Sequence, residues 1–350
     1  MTRPATSSVG WEARSELLRE CCRGESILTA MTRSKAFIRP PRLAPGARVA
    51  IVAPSAPCLE LDDFTRADEL CRALGWEPVP GRHLRERAGY LAGTDDARLA
   101  DLNAAFGDDR IDGLWCIRGG YGMTRILDAV DMEAVRRRPK PVIGYSDITA
   151  LLNGITATTG VVTFHGPTAR AEMPGFSRRH FERVVATSMP GGRLERLRAA
   201  DVLVPREHRI VPLIAGVTEG PLFGGNLTLL QCLIGTPFFP DLDGAILFLE
   251  DVGEPLYRVD RMLAHLRAVG ALARLAGVAV GRFTELKREM GDGVFGFDEV
   301  LLQYFGPLAI PVAYGFPIGH IPDQWTLPLG VRARLDAGAG ELELLEPAVQ

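Results

Sequence analysis

Long apolar runs are missing from this 350-residue chain. No stretch approaches the roughly 20 consecutive apolar residues of a membrane-spanning helix, so none is expected to cross a bilayer. An excess of positive charge is missing too: 40 Lys+Arg stand against 43 Asp+Glu, a net of −3, which disfavours the phosphate-neutralising surfaces of nucleic-acid binders. Cysteine is sparse and unpatterned. Cys21, Cys22, Cys58, Cys71, Cys116 and Cys232 form no C-x-x-C pair and have no histidine at zinc-finger spacing, so they read as ordinary thiols of a reducing compartment. The first 30 residues lack the apolar segment of an export signal, because Trp11, Glu12, Arg14, Glu16, Arg19 and Glu20 interrupt it. Together these absences predict a cytoplasmic protein. What is present is a globular composition, 47% hydrophobic and 24% charged with 7% aromatic, on a length that suits about two domains.

Residues 1–42 are polar, Arg-rich and aperiodic, which predicts a loosely ordered extension without chemistry, with a short helix at Glu12 to Cys22 as the alternative. From Arg48 the character changes. Val49 to Ala53, Gly113 to Ile117, Pro141 to Tyr145 and Gly160 to Phe164 are apolar runs suited to buried parallel strands. Helical segments fall at Phe64 to Leu74, Arg98 to Phe106, Thr124 to Val130 and Asp147 to Ile155. This alternation predicts a parallel α/β sheet over 43–166. Residues 167–209 mix Pro, Gly, Arg and Glu around one helical piece at Arg178 to Ala186 and read as an interdomain connection. A second unit over 210–346 begins with a helix at Leu227 to Leu233 and a buried strand at Ala245 to Leu249. The helix that follows carries Val259, Met262, Leu263, Leu266 and Val269 as one apolar stripe. Strands at Val278 to Val280 and Val312 to Tyr314 precede a hairpin over Arg332 to Leu345, turned at Gly338-Ala339-Gly340.

Ligands of open α/β sheets gather at the carboxyl ends of strands, so the residues after each strand are the candidate functional ones. Arg118-Gly119-Gly120-Tyr121-Gly122 is a glycine-rich turn whose N–H groups can face an anion, though it matches neither G-x-G-x-x-G nor a P-loop, and a turn without ligand fits equally well. At Gly144-Tyr145-Ser146-Asp147 a buried strand ends on a serine that opens a helix. That is the arrangement of a nucleophile elbow, with Ile148 where G-x-S-x-G has its second glycine; an N-cap serine is the alternative. Leu249-Glu250-Asp251 places carboxylates at the end of an apolar run, suited to orienting a histidine, to a solvated acidic turn, or to a divalent metal, for which no matching cluster lies nearby. Among the histidines, His180, His208 and His265 sit in charged surroundings and read as surface residues. His165 and His320 both follow strand-like runs beside glycine and proline, and spacing alone does not choose between them as a base.

Several motifs occur in a fixed order: Val52-Ala53-Pro54-Ser55, Tyr90-Leu91-Ala92-Gly93-Thr94-Asp95, the Arg118 to Gly122 turn, the Gly144 to Asp147 elbow, Gly224-Gly225-Asn226-Leu227, Leu249-Glu250-Asp251 and Gly315-Phe316-Pro317-Ile318-Gly319-His320. On these, from about Val49 to Leu335, the chain resembles the LD-carboxypeptidases, serine peptidases of murein tetrapeptides, and their relatives the microcin C immunity peptidases. The resemblance implies an α/β fold with an N-terminal Rossmann/flavodoxin-like parallel-sheet domain over 43–166 and a smaller C-terminal mixed α/β domain of swivelling β/β/α type over 210–346. It implies a triad with Ser146 as nucleophile, His320 as general base and Glu250 as the orienting carboxylate. It further implies an oxyanion hole from the backbone N–H of Asp147 with Gly119 or Gly120, no metal and no cofactor, and a homodimer. Arg118, beside the glycine turn, is the candidate for holding the free carboxylate that any carboxypeptidase must bind.

Three functions then compete. A cytoplasmic LD-carboxypeptidase would release terminal D-alanine from murein tetrapeptide during peptidoglycan recycling. A microcin-type immunity peptidase would cleave a peptidyl nucleotide and would favour an aromatic side chain to stack the base, yet Gly166 to Arg209 holds only Phe176 and Phe181. A non-catalytic muropeptide-binding module would share the fold but has no need of Ser146, Glu250 and His320 together. In each case the expected partner is a small peptide rather than nucleic acid or membrane.

Overall fold

Strands that are apolar on both faces must be covered on both, and that requirement organises the first half of the chain. The computed structural model describes residues 36–197, 203–204, 207–287 and 295–350. Here β1 (Arg48–Val52), β2 (Glu77–Pro80), β3 (Gly113–Cys116), β4 (Val142–Gly144) and β5 (Thr163–His165) pair in parallel in the spatial order β2-β1-β3-β4-β5. This is the flavodoxin-like order, whose topological switch lies between β1 and β3. The crossovers carry α1 (Leu61–Ala73), α2 (Asp95–Gly107), α3 (Met132–Arg137) and α4 (Thr149–Thr159). α2 starts on Thr94, whose hydroxyl accepts the Ala97 N–H. The segment Thr124 to Val130, expected as a helix, forms two short 3₁₀ turns instead, Met123–Arg125 and Leu127–Ala129. Ile126, at φ −120°, lies between them and breaks the helical backbone.

A second sheet is built around β8 (Val217–Asn226), β9 (Ile246–Val252), β10 (Gly277–Thr284) and β11 (Val312–Tyr314), all parallel. Antiparallel strands flank it: β7 (Val211–Ile214) on β11, and on β8 the hairpin of β13 (Arg332–Asp336) and β14 (Glu341–Leu344), edged by β6 (Gly192–Arg193). This sheet has eight strands and takes in β6 from the expected connection. The first sheet is not purely parallel either. β12 (Leu327–Leu329), from beyond His320 in the chain, adds antiparallel to β5 and makes it six-stranded.

Part of the expected connection is core. α5 (Gly175–Val185) buries Phe181, which stacks on Trp115 at 5.1 Å, and buries His180, which the charged surroundings had marked as a surface residue. The expected extension also divides: its helix candidate, Glu12 to Cys22, lies outside the described residues, whereas Ile38 N–H donates to Gly160 O (2.8 Å) and Ile38 O accepts from Val162 N–H (2.9 Å). α6 (Leu227–Cys232) and α7 (Leu256–Ala268) lie near their expected positions, but α7 stops one residue before Val269, which is exposed. α8 (Phe297–Phe305) was not foreseen. Among the described residues no helix is long and apolar enough to cross a membrane.

The two sheets are tied through α4. Asn153, fully buried on that helix, donates Nδ2 to Thr149 O and to Gly224 O of β8, both at 2.9 Å, and Thr149 Oγ1 accepts the Asn226 N–H at 3.0 Å. Replacing Asn153 by Ala removes both donated bonds in a dry setting and should lower unfolding free energy by about 1–3 kcal/mol, read as a shifted urea midpoint with unchanged slope.

Candidate active site

At the end of β4 the backbone turns sharply. Tyr145 is extended, Ser146 takes φ +65°, and a 3₁₀ turn over Ser146–Ile148 feeds α4. A left-handed serine is strained, and such strain persists where surrounding structure imposes it. Ser146 is not the N-cap that the sequence alone allowed, since that position of α4 belongs to Ile148. The glycine turn after β3 lies directly against it. A Cβ on Gly119 would stand 2.7 Å from Ser146 Cβ and 3.2 Å from Asp147 N, so only glycine brings that backbone so close. Gly120 faces the other way, toward Ala56. Among the described residues no backbone carbonyl accepts the Gly119 or Gly120 N–H.

Asp147 holds this arrangement from beneath. Its buried Oδ2 accepts from Ser55 Oγ at 2.5 Å and from Met123 N at 2.8 Å, joining the loop after β1, the turn after β3 and the elbow after β4. Burial pushes its carboxyl up from the usual range while the two donors pull it down. Arg118 is half-buried and donates to Pro57 O at 2.7 Å, which anchors it on the switch-point loop.

From the second sheet come Glu250 and His320. β9 runs on to Val252, so Glu250 lies within a central strand rather than at its end, opposite Asn226 and without solvent exposure. Its Oε2 lies 2.7 Å from His320 Nδ1. With the carboxylate as acceptor, Nδ1 carries the hydrogen and Nε2 is left able to take a proton. Asp251, next along the strand, faces the opposite way and accepts from Asn226 Nδ2 (2.9 Å) and Thr228 N (3.0 Å) at the start of α6. The Tyr145 ring packs 4.8 Å from the His320 ring, which sets the elbow and the imidazole side by side. Tyr145 and His320 line a cavity of about 290 Å³ together with Glu172 and Gln324. Arg118 is not among the residues lining it. Among the described residues no three His, Cys, Asp or Glu side chains gather as metal ligands.

The structure separates the two histidines that spacing left equal. His165 is fully buried with neither ring nitrogen hydrogen-bonded, and burial, followed by the nearby His320, pushes its pKa down to about 3. It has no carboxylate partner, whereas His320 is half-buried and has one. Tyr145, Glu172 and Gln324 were not singled out from sequence. Their only sequence signal is nearness to Ser146, to the His165-Gly166-Pro167 turn and to His320.

Family models describe residues 49–166 as an LD-carboxypeptidase N-terminal domain and residues 219–335 as an LD-carboxypeptidase C-terminal domain. The chain belongs to the LD-carboxypeptidase family. It is 36% identical over 301 residues to a probable murein peptide carboxypeptidase of Bacillus subtilis, covering 85% of this chain and 91% of that one. It is 33% identical over 296 residues to the murein tetrapeptide carboxypeptidase of Pseudomonas aeruginosa, covering 83% and 93%. Among solved structures, the muramoyltetrapeptide carboxypeptidase from Oxalobacter formigenes matches with TM-score 0.71 at 30% identity, covering 85% of this chain and 98% of that one. The wild-type apo Microcin C7 self-immunity protein MccF matches with TM-score 0.80 at 26% identity, covering 89% and 100%. The α/β fold and the hydrolase assignment expected from the motifs stand on these likenesses.

Two buried, unpaired imidazoles make this LD-carboxypeptidase family member sensitive to acid. His165, at about 3, and His180, pushed down by burial to about 4, are neutral when folded and titrate near 6.5 when unfolded. Their contribution is complete above about pH 6.5 and is lost as pH falls toward those folded values, at about 1.4 kcal/mol per pH unit for each histidine. Urea unfolding between about pH 6.5 and 4.5 should show this slope, and His180→Phe should flatten it by one proton.

Proposed function

We propose that this chain is a serine carboxypeptidase that hydrolyses the L,D-peptide bond before the terminal D-alanine of murein tetrapeptide. The observation that carries the reading is the strained Ser146 elbow set beside an imidazole that a fully buried carboxylate holds by one nitrogen. Ser146 Oγ attacks the scissile carbonyl as His320 Nε2 takes its proton. His320 returns the proton to the departing D-alanine, and water hydrolyses the acyl-enzyme in a second round. Glu250 fixes the ring tautomer and stabilises the imidazolium. The oxyanion is received by the Asp147 N–H and by the glycine turn, where Gly119 lies nearer to Ser146 than Gly120 does. Arg118 holds the free carboxylate of the substrate. The relatives named for murein peptides, at 33% and 36% identity, support this substrate. Cys58, Cys71 and Cys116, all buried and free, support a reducing, cytoplasmic setting suited to peptidoglycan recycling. The family resemblance supports a homodimer, which sedimentation equilibrium tests.

A second reading, cleavage of a peptidyl nucleotide, is favoured by the likeness to MccF, solved in complex with aspartyl sulfamoyl adenosine. Against it, Phe176 and Phe181, the aromatic residues between Gly166 and Arg209, are both buried and offer no face to a base. A purely binding module has no need of a nucleophile, a base and its carboxylate together.

Ser146→Ala, Glu250→Ala and His320→Ala should each fold yet lose turnover by about 10⁴-fold, and near-normal hydrolysis by any one removes that residue from the scheme. Arg118→Ala should raise KM; an unchanged KM argues against its role. Mass spectrometry should detect D-alanine released from murein tetrapeptide but no amino acid from an all-L peptide. Release from a peptidyl-adenylate analogue alone would favour the second reading. Labelling by a fluorophosphonate that vanishes in Ser146→Ala separates enzyme from binder.

A further inference from the structure

Arg98 is an arginine where local rules disfavour one. It lies in the first turn of α2, directly after Ala97, whose N–H is capped by Thr94, and there the helix macrodipole opposes a cation. It is also 1% exposed, and taking a guanidinium out of water is costly unless its donors are used. They are used on the loops of the candidate site. Nη1 donates to Pro54 O, in the loop after β1, and to Gly122 O at 2.9 Å, in the glycine turn after β3, while Nη2 donates to Asp95. Nε alone is buried without a partner among the described residues. Gly122 stands at φ +130°, and a Cβ there would lie 2.9 Å from Nη1, so glycine admits the guanidinium.

The bond to Gly122 O matters because of the other end of the same peptide. The Gly122 carbonyl and the Met123 N–H belong to one planar unit, and that N–H donates to Asp147 Oδ2 at 2.8 Å. The peptide is thus held between a guanidinium on its oxygen and a carboxylate on its nitrogen, an arrangement in which each bond polarises and strengthens the other. Ser55, which follows Pro54, donates to the same Oδ2 at 2.5 Å. Charges alternate along the path. Arg125 pairs with Asp95 at 2.6 Å, Asp95 with Arg98, and Arg98 reaches Asp147 across the peptide, so two guanidiniums face two carboxylates and 2 − 2 leaves no net charge. Burial raises the Asp147 carboxyl, and Ser55, Met123 and then Arg98 pull it down. The other titratable groups near it among the described residues, the Cys116 and Cys232 thiols, are themselves raised by burial, and neither is a cation.

We infer that Arg98 is a positioning residue for the hydrolysis: as countercharge to Asp147 across the Gly122–Met123 peptide, it keeps the glycine turn seated on the Ser146 elbow. It acts through Asp147 rather than on the substrate. Without it the Asp147 carboxylate is buried uncompensated, and the turn that carries Gly119 loses its hold beside Ser146 and the Asp147 N–H. This rests on the reading of Ser146 as nucleophile and adds the group that aligns its oxyanion donors.

The test measures, in the full-length protein, D-alanine release from murein tetrapeptide and the rate of fluorophosphonate labelling at Ser146, which needs the nucleophile and its oxyanion donors but no peptide site. Arg98→Met should lower both by about 100-fold, the loss expected when an oxyanion donor is displaced. Removing the carboxylate as well should repair part of the damage. The double variant, Arg98→Met with Asp147→Asn, should run about fivefold or more faster than Arg98→Met and within about threefold of Asp147→Asn alone, because the two losses are coupled. A residue that only braces α2 would give losses that add. Arg98→Gln, which removes the charge but keeps a donor, carries the same comparison where Arg98→Met does not fold, and adding Asp147→Asn should then restore folding as well. Wild-type rates in a folded Arg98→Met or Arg98→Gln protein, or no gain on adding Asp147→Asn, would overturn the inference and leave the peptidase reading intact. A wild type labelled at Ser146 that releases no D-alanine would sink the substrate reading, while the labelling rates still decide the role of Arg98. Neither labelling nor release by the wild type would sink both.

Discussion

Asp147 carries a carboxylate into the interior without a cation bonded to it, and the candidate site is arranged around satisfying that group. Taking a carboxylate out of water is costly unless donors replace the lost hydration. Here Ser55 Oγ and the Met123 N–H, from loops after two different strands, both donate to Oδ2, while Oδ1 is buried with no partner among the described residues. Both loops lie at the topological switch of the first sheet, where adjacent crossovers diverge and leave a crevice. One acceptor atom thus draws the β1 loop and the glycine turn onto the elbow. A Cβ on Gly119 would stand 2.7 Å from Ser146 Cβ, so the turn meets the elbow through a residue without a side chain.

The second constraint is the path from elbow to imidazole. Ser146 opens the turn that becomes α4, and Thr149 and Asn153 on α4 bond to Asn226 and Gly224 at the end of β8. Asn226 is in register with Glu250 on β9, and Glu250 is bonded to His320. Between Thr149 and Glu250 the steps join buried groups on α4, β8 and β9, and the last reaches half-buried His320 in the irregular segment after β11. Ser146 and His320, 174 positions apart in the chain (320 − 146), are thereby connected through α4, β8 and β9.

Much of this was legible in the chain. Continuous apolar runs announced β1, β3, β4 and β9 because strands buried on both faces need no alternation. The elbow was readable because a glycine, an aromatic and a serine follow such a run immediately. Other parts were hidden for physical reasons. β8 contains Gly220, Pro221, Gly224 and Gly225, residues that punctuate loops elsewhere, and it is a strand because β9 and β13 pair on either side of it. His180 sits among arginines in sequence, yet a helix turns alternate faces, and the face with Phe176, His180 and Phe181 is the buried one. The choice between His165 and His320 needed the carboxylate that only the fold places. Likewise, no spacing rule reveals that Tyr145 meets His320 or that Gln324 shares a cavity with Glu172, because those contacts join segments far apart in the chain.

β12 gives the architecture a temporal order. The strand that closes the edge of the first sheet beyond β5 is synthesised after all the residues that bear Ser146, Glu250 and His320. While the chain emerges from a ribosome, the early sheet therefore has β5 as an open edge, with unpaired backbone groups of the kind that recruit other strands. The edge is sealed only once Leu327 to Leu329 have been made, and by then the imidazole and its carboxylate have also been made. A fragment of this chain that ends before His320 thus lacks both the cover of that edge and the candidate imidazole.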